Sequence, residues 1–226
     1  MDFTISENLK RIRYDVEEAK SKYRKTDDSV RIMAVTKTVP YERVNYAVSE
    51  GVTLLGENRV QEYLSKKDFY DKNAEVNFIG HLQSNKIKYI IDSVTLIHSV
   101  DSIKLAAEID KQAEKINKCM DVLIEVNIGR EESKSGVFPE MLETLVYEAS
   151  QLKNIRIRGL MTIPPIAKSE ASFEKMQLIF NDLQAKRIDN TCVDILSMGM
   201  SSDYALAVKY GSNIVRIGSG IFGIRK

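Results

Sequence analysis

Arg31-Ile32-Met33-Ala34-Val35-Thr36-Lys37-Thr38-Val39-Pro40 is the stretch on which the reading of the fold turns. Ile32 to Val35 is an unbroken apolar run, the pattern of a strand buried on both faces. Side chains alternate along a strand, so Lys37 shares a face with Met33 and Val35. Pro40 suits the first turn of a helix, with Val44, Ala47 and Val48 on its apolar side and Gly51 as its stop. The stretch thus predicts a strand, a sharp turn bearing one lysine, and a helix. Ligands bind at the carboxyl ends of strands in α/β folds. A lysine walled by apolar groups there loses solvation, and its pKa falls. More of it is then the neutral amine that attacks a carbonyl. Read the other way, Lys37 is a surface lysine snorkelling from a strand end.

Working outward, the same unit recurs. Short apolar runs at 53–56, 76–79, 95–98, 122–126, 155–160, 193–196 and 214–217 bring the predicted strands to eight. Helical patterns separate them, among them Val60, Tyr63 and Leu64, then Ile87, Ile90 and Ile91, then Leu105, Ala106, Ile109 and Ala113 behind a cap at Asp101 or Ser102. Strands joined by helical crossovers are parallel. Eight of them predict a single-domain (β/α)8 TIM barrel over residues 1–226, which leaves no exposed edge. An open doubly wound sheet usually shows a Gly-x-Gly-x-x-Gly turn after its first strand, and the turn at Lys37 contains no glycine. An amphipathic helix at 4–24 precedes the first strand, opened by a capping box of Thr4 and Glu7.

Bulk properties narrow the function. The net charge of +1 gives no reason to expect nucleic acid or an anionic membrane as partner. Two histidines without a His-x-x-x-His or Cys-x-x-Cys pair argue against metal. Cys119 and Cys192 sit among apolar neighbours and read as buried thiols of a reducing compartment. No signal peptide or membrane span is evident, so a cytoplasmic protein is expected.

In a barrel the strand ends share one mouth. They are Lys37, Asn58, His81, Ser99, Asn127, Met161 with Thr162, Ser201, and Gly218 with Ser219. The last two strands lead into Gly199-Met200-Ser201-Ser202 and Gly218-Ser219-Gly220, where many barrels hold phosphate. Glycine and serine are also ordinary turn residues. Arg216 is a charge inside the apolar strand 214–217 and needs a partner. That partner is either an acidic strand residue such as Glu125 or the ring of a bound aromatic cofactor. His98 reads as a satisfied core residue, and the polar segment 129–136 as a solvated loop.

Ala34-Val35-Thr36-Lys37, Gly56-Glu57-Asn58, Phe78-Ile79-Gly80-His81-Leu82-Gln83, Arg158-Gly159-Leu160-Met161, Ser197-Met198-Gly199-Met200-Ser201 and Val215-Arg216-Ile217-Gly218-Ser219 resemble the motifs of one family. It is the YggS/PROSC family of pyridoxal 5′-phosphate (PLP) homeostasis proteins, and the likeness runs the length of the chain. Its fold is that of the alanine racemase barrel, fold type III among PLP proteins, without the carboxyl-terminal β-domain. The resemblance implies that Lys37 holds PLP covalently as a Schiff base. It implies that Ser201, Gly218 and Ser219 hold the phosphate, that Arg216 approaches the pyridine nitrogen, and that Asn58 and Met161 line the ring. Ser219-Gly220 stands where Thr-Ala is common, and the hydroxyl donor is kept. The implied function is intracellular PLP homeostasis without established turnover, with PLP-dependent apoenzymes as candidate recipients and a monomer or weak dimer as the expected state. The alternatives are a weak amino-acid racemase and a Schiff-base lyase acting on a sugar phosphate.

Overall fold

The computed structural model describes residues 3–24 and 29–223. Its elements are α1 (Phe3–Tyr23), β1 (Arg31–Val35), α2 (Tyr41–Ser49), β2 (Leu54–Glu57), α3 (Val60–Lys66), β3 (Glu75–Phe78), β4 (Leu96–Val100), α4 (Ile103–Glu114), β5 (Met120–Glu125), α5 (Leu142–Ser150), β6 (Ile155–Met161), α6 (Ser169–Lys186), β7 (Thr191–Ser197), α7 (Tyr204–Lys209), β8 (Ile214–Ile217) and α8 (Ser219–Phe222). The strands pair in chain order and close as a parallel barrel, so the open-sheet alternative falls. Two compact units make up the chain, Met1–Val76 with Ser197–Lys226, and Asn77–Leu196.

In the first unit β1 lies between β2 and β8, with Val35 opposite Gly56 and Met33 opposite Arg216. The apolar stripe expected of the amino-terminal helix runs through Ile5, Leu9, Ile12, Val16, Ala19 and Tyr23; the first five are enclosed, but Tyr23, at the end of α1, is exposed. The helix already includes Phe3, so Thr4 lies within its first turn and is not its cap. Polar side chains fix α1 to the last helices. Asn8 Nδ2 donates to the Ile221 carbonyl at 3.0 Å, and Arg24 Nη2 to that of Ser212 at 2.8 Å. The Tyr204 hydroxyl donates to Asp15 Oδ2 at 2.5 Å.

Burial, then the Asp15 carboxylate, pushes the Tyr204 phenol up to about 12 from its usual 10.0. A raised pKa means the folded state keeps a proton that the unfolded chain loses, so this contribution is complete below pH 10 and disappears as pH climbs toward 12. Tyr204→Phe is therefore expected to flatten the alkaline loss of stability in that window. Chemical denaturation at stepped pH measures it, and parallel wild-type and variant curves would exclude Tyr204 as a source.

In the second unit β6 carries a bulge. Val122 pairs with Ile157 but Leu123 with Gly159, so Arg158 is the extra residue. Its guanidinium reaches Asp194 on β7 and Asp121 on β5, and both carboxylates hold it charged. His98 is fully buried with its Nε2 3.0 Å from Asn77 Nδ2, the core role expected of it. The segment predicted as a helix around Ile87 is a short 3-10 stretch, Ser84–Tyr89, with i to i+3 bonds such as Lys86 N–H to the Gln83 carbonyl. Ile87, Ile90 and Ile91 are nonetheless buried. The cysteines correct another expectation, since both are exposed. Cys119 precedes β5, and Cys192 lies where β7 alternates between covered and open positions. Apolar neighbours in sequence do not bury a residue whose side chain points away from them.

Candidate active-site lysine and anion loop

Lys37 is carried by a tight turn at the end of β1. The Val39 N–H donates to the Thr36 carbonyl at 3.0 Å, and Thr38 takes φ 62°. Few branched residues occupy that left-handed region. Pro40 stands at the cap position of α2, one residue earlier than its sequence suggested, and Lys37 itself is half-buried. Beside β1, the β8 register brings Gly218 level with Val35: a Cβ on Gly218 would lie 3.5 Å from both the Val35 carbonyl oxygen and its Cβ. The close approach of the two backbones sets the glycine loop next to the lysine turn.

Ser201 joins that loop. Its Oγ accepts the Gly220 N–H at 3.1 Å, which leaves the hydroxyl proton available to an anion. A Cβ on Gly220 would stand 2.8 Å from Ile217 Cγ2 and 3.4 Å from Ser201 Oγ, so a larger residue there requires the Ile217 side chain to shift. Ser219 is exposed at the loop's tip. One level below, on β8, Arg216 is 3% exposed and its Nη1 donates to the Ser197 carbonyl at 2.7 Å and to Ser197 Oγ at 2.8 Å. These two oxygens fix the orientation of the Arg216 guanidinium. Asn58 follows β2 directly. Its Oδ1 is buried without a hydrogen-bond partner, an acceptor that a ligand donor would satisfy.

Lys37, Asn58, Ser201, Arg216, Gly218 and Ser219 thus all belong to one unit and to the ends of β1, β2, β7 and β8. Met161 belongs to the other unit, at the end of β6, packed with Leu96, Leu123 and Ile195. Asn127 commits its amide to the 129–136 loop, donating to the Glu131 and Lys134 carbonyls at 2.8 and 3.2 Å. His81 is exposed, with Nδ1 3.3 Å from Ser135 Oγ.

A polar network behind the lysine turn escapes a reading of sequence. Glu57 is fully buried, and its Oε1 accepts from Thr36 Oγ1 at 2.7 Å and from the Tyr70 hydroxyl. Lys66 Nζ lies 3.2 Å from the same oxygen. Burial, then Glu57, holds the Tyr70 phenol far above its usual range. The available signal was Lys66 itself, a lysine three places after Tyr63 on the apolar side of α3.

Residues 8–226 match the family model described as alanine racemase, N-terminal domain. A pyridoxal phosphate homeostasis protein from Aquifex aeolicus is 42% identical over 97% of this chain and 98% of its own length. One from Haemophilus influenzae is 38% identical over 98% and 96%. Among solved structures, PipY of Synechococcus elongatus with PLP bound superposes with a TM-score of 0.81 at 31% identity, covering 97% of this chain and all of PipY. An alanine racemase from Corynebacterium glutamicum shares the fold, with a TM-score of 0.73 at 16% identity, and the chain covers 98% of itself and 61% of that enzyme.

Proposed function

This chain belongs to the alanine racemase N-terminal domain family, among the pyridoxal phosphate homeostasis proteins, and on that premise we propose that it binds PLP and serves PLP homeostasis, with Lys37 as the covalent anchor. The observation that carries the reading is the adjacency of Lys37 and the Gly218–Gly220 loop, fixed by the register of β1 with β8. An amine beside an anion-binding loop is what a phosphorylated aldehyde requires. PLP supplies that aldehyde, a phosphate and an electron-poor ring.

The residues fit such a ligand. Ser201 and Ser219 offer hydroxyl donors and the glycine loop admits the phosphate closely. The Lys37 amine would supply the nucleophile for the aldehyde carbon, with water as the leaving group. Asn58 Oδ1 takes a donor on the ring's edge. Arg216, oriented by Ser197, would donate to the pyridine nitrogen and so keep it unprotonated. An unprotonated ring is a weaker electron sink, which favours holding the cofactor over carbanion chemistry. The shared name of the relatives supports a holding role over turnover, with apoenzymes as recipients.

The test is the absorption spectrum of the protein with PLP, followed by borohydride reduction and peptide mapping. A visible band with the reduced adduct on the Lys37 peptide supports the proposal. A colourless protein, or reduction spread over many lysines, refutes it. Release of D-alanine from L-alanine would show turnover in place of storage.

Arg216→Ala is expected to move the absorption maximum and weaken PLP retention about tenfold, the loss of one charge-assisted hydrogen bond of roughly 1.5 kcal/mol. Spectral titration reads both, and an unchanged spectrum with unchanged affinity would remove Arg216 from the ring.

A further inference from the structure

The Lys37 turn is gripped from behind by charges that the cofactor reading does not use. Lys66 Nζ donates to the Thr36 carbonyl at 3.0 Å and lies 3.4 Å from that of Val39, the two carbonyls that bracket Lys37 and Thr38. It also donates to Glu62 Oε1 at 2.8 Å, and that carboxylate accepts the Thr38 N–H. Burial would raise the Glu62 carboxyl, but the Lys66 and Thr38 donors outweigh it and hold it below the usual range. Glu57 supplies the counter-charge at 3.2 Å and binds the Thr36 hydroxyl. Its second oxygen, Oε2, is buried without a hydrogen-bond partner.

Stability alone does not account for this arrangement. A buried ion pair gives little that apolar residues of the same volume would not, and the orphaned Glu57 oxygen adds a cost. What the pair does provide is geometry. Thr38 stands at φ 62°, which a branched residue leaves unless held. Three backbone groups of the turn around Lys37 meet these side chains: the Thr36 and Val39 carbonyls meet Lys66, and the Thr38 N–H meets Glu62.

We propose that Lys66, balanced by Glu57 and aided by Glu62, is a positioning residue that holds the strained Thr36–Val39 turn and so aims the Lys37 amine at the bound aldehyde. The inference rests on Lys37 being the covalent anchor. Its effect falls on the condensation step and leaves the phosphate loop alone, because the Gly218 and Ser219 carbonyls accept the Ile221 and Gly223 N–H groups and Ser201 accepts that of Gly220.

The test compares PLP with pyridoxine 5′-phosphate, which has the phosphate and ring but no aldehyde. Lys66→Met combined with Glu57→Gln removes the Lys66–Glu57 pair, leaves no charge in place of the fully buried Glu57, and keeps an acceptor for Thr36 and Tyr70; Glu62, which is partly exposed, keeps its bond to the Thr38 N–H. Adduct formation with PLP, read by absorbance and borohydride trapping, is expected to fall about tenfold or more, as loss of charged hydrogen bonds to the turn implies. Affinity for pyridoxine 5′-phosphate, read by calorimetry, is expected to match the wild type. Adding Thr38→Gly, which relieves the left-handed strain, is expected to restore part of the rate. Should the double variant not fold, Glu62→Gln, at a half-buried site, is expected to give the same selective loss at smaller size. Adduct formation equal to the wild type, or an equal loss for both ligands, overturns the proposal. A wild-type protein with no Lys37 adduct overturns the cofactor reading beneath it, and that result appears before any variant is made.

Discussion

Lys37→Ala is expected to abolish the visible band proposed for the wild-type protein with PLP and to leave no peptide carrying a reduced adduct. A Schiff base needs a primary amine close to the aldehyde carbon. The register of β1 with β8 brings the lysine turn and the Gly218–Gly220 loop side by side, so on the proposed reading a ligand whose phosphate sat in the loop would present its aldehyde to that amine. Well-oriented groups react with effective concentrations on the order of 10⁵ M, which free surface lysines cannot approach. Alanine removes the amine and leaves the loop, so pyridoxine 5′-phosphate is expected to bind the variant as it binds the wild type. Lys37→Arg serves as the control for charge, since a guanidinium keeps the cation and forms no such bond. Reduction with borohydride and mass mapping of both variants reads the outcome. A single adduct persisting at another lysine, Lys66 for instance, would move the anchor elsewhere and sink the assignment.

Much of this site is written locally in the chain. Strands buried on both faces appear as apolar runs, so β8 was legible as Ile214–Ile217, the residues it occupies. Polar and glycine residues follow β1, β2 and β8 directly and Ser201 comes four residues after β7, which is why Lys37, Asn58, Ser201 and Gly218 could be named as candidates by position. The clamp behind Lys37 was not legible. It joins the end of β2 to the far side of α3 and to Tyr70, and no short-range pattern records which helix face meets which strand end. The two cysteines failed for a related reason. Neighbours along the chain predicted burial, but exposure follows the direction of each side chain, and both thiols are open to solvent. Arg158-Gly159 was visible only as part of a family motif, and the structure shows that its meaning is mechanical: a bulge, a clamp of carboxylates and a close backbone crossing.

That crossing carries the largest expected effect on stability. Gly159 has φ 140° and faces β7 so closely that a Cβ would stand 1.9 Å from the Ile195 carbonyl oxygen and 2.8 Å from its carbon. Both obstacles are backbone, and Arg158 ties the same place to Asp194 and Asp121, so neither strand can step aside cheaply. Gly159→Ala therefore adds an overlap to a conformation that alanine already avoids. The cost is expected to exceed about 4 kcal/mol, the range reserved for substitutions the structure cannot absorb. For a chain of this length that lowers Tm by roughly 10 °C or more. Gly223→Ala separates the two causes. Gly223 has φ 86° and ψ 173°, but nothing lies within 4 Å of its added Cβ. It should lose only the conformational part, about 1–3 kcal/mol. Thermal melts of the two variants decide the matter: equal losses would mean that strain alone governs and that β6 and β7 can part, whereas the larger loss at Gly159 assigns it to the crossing.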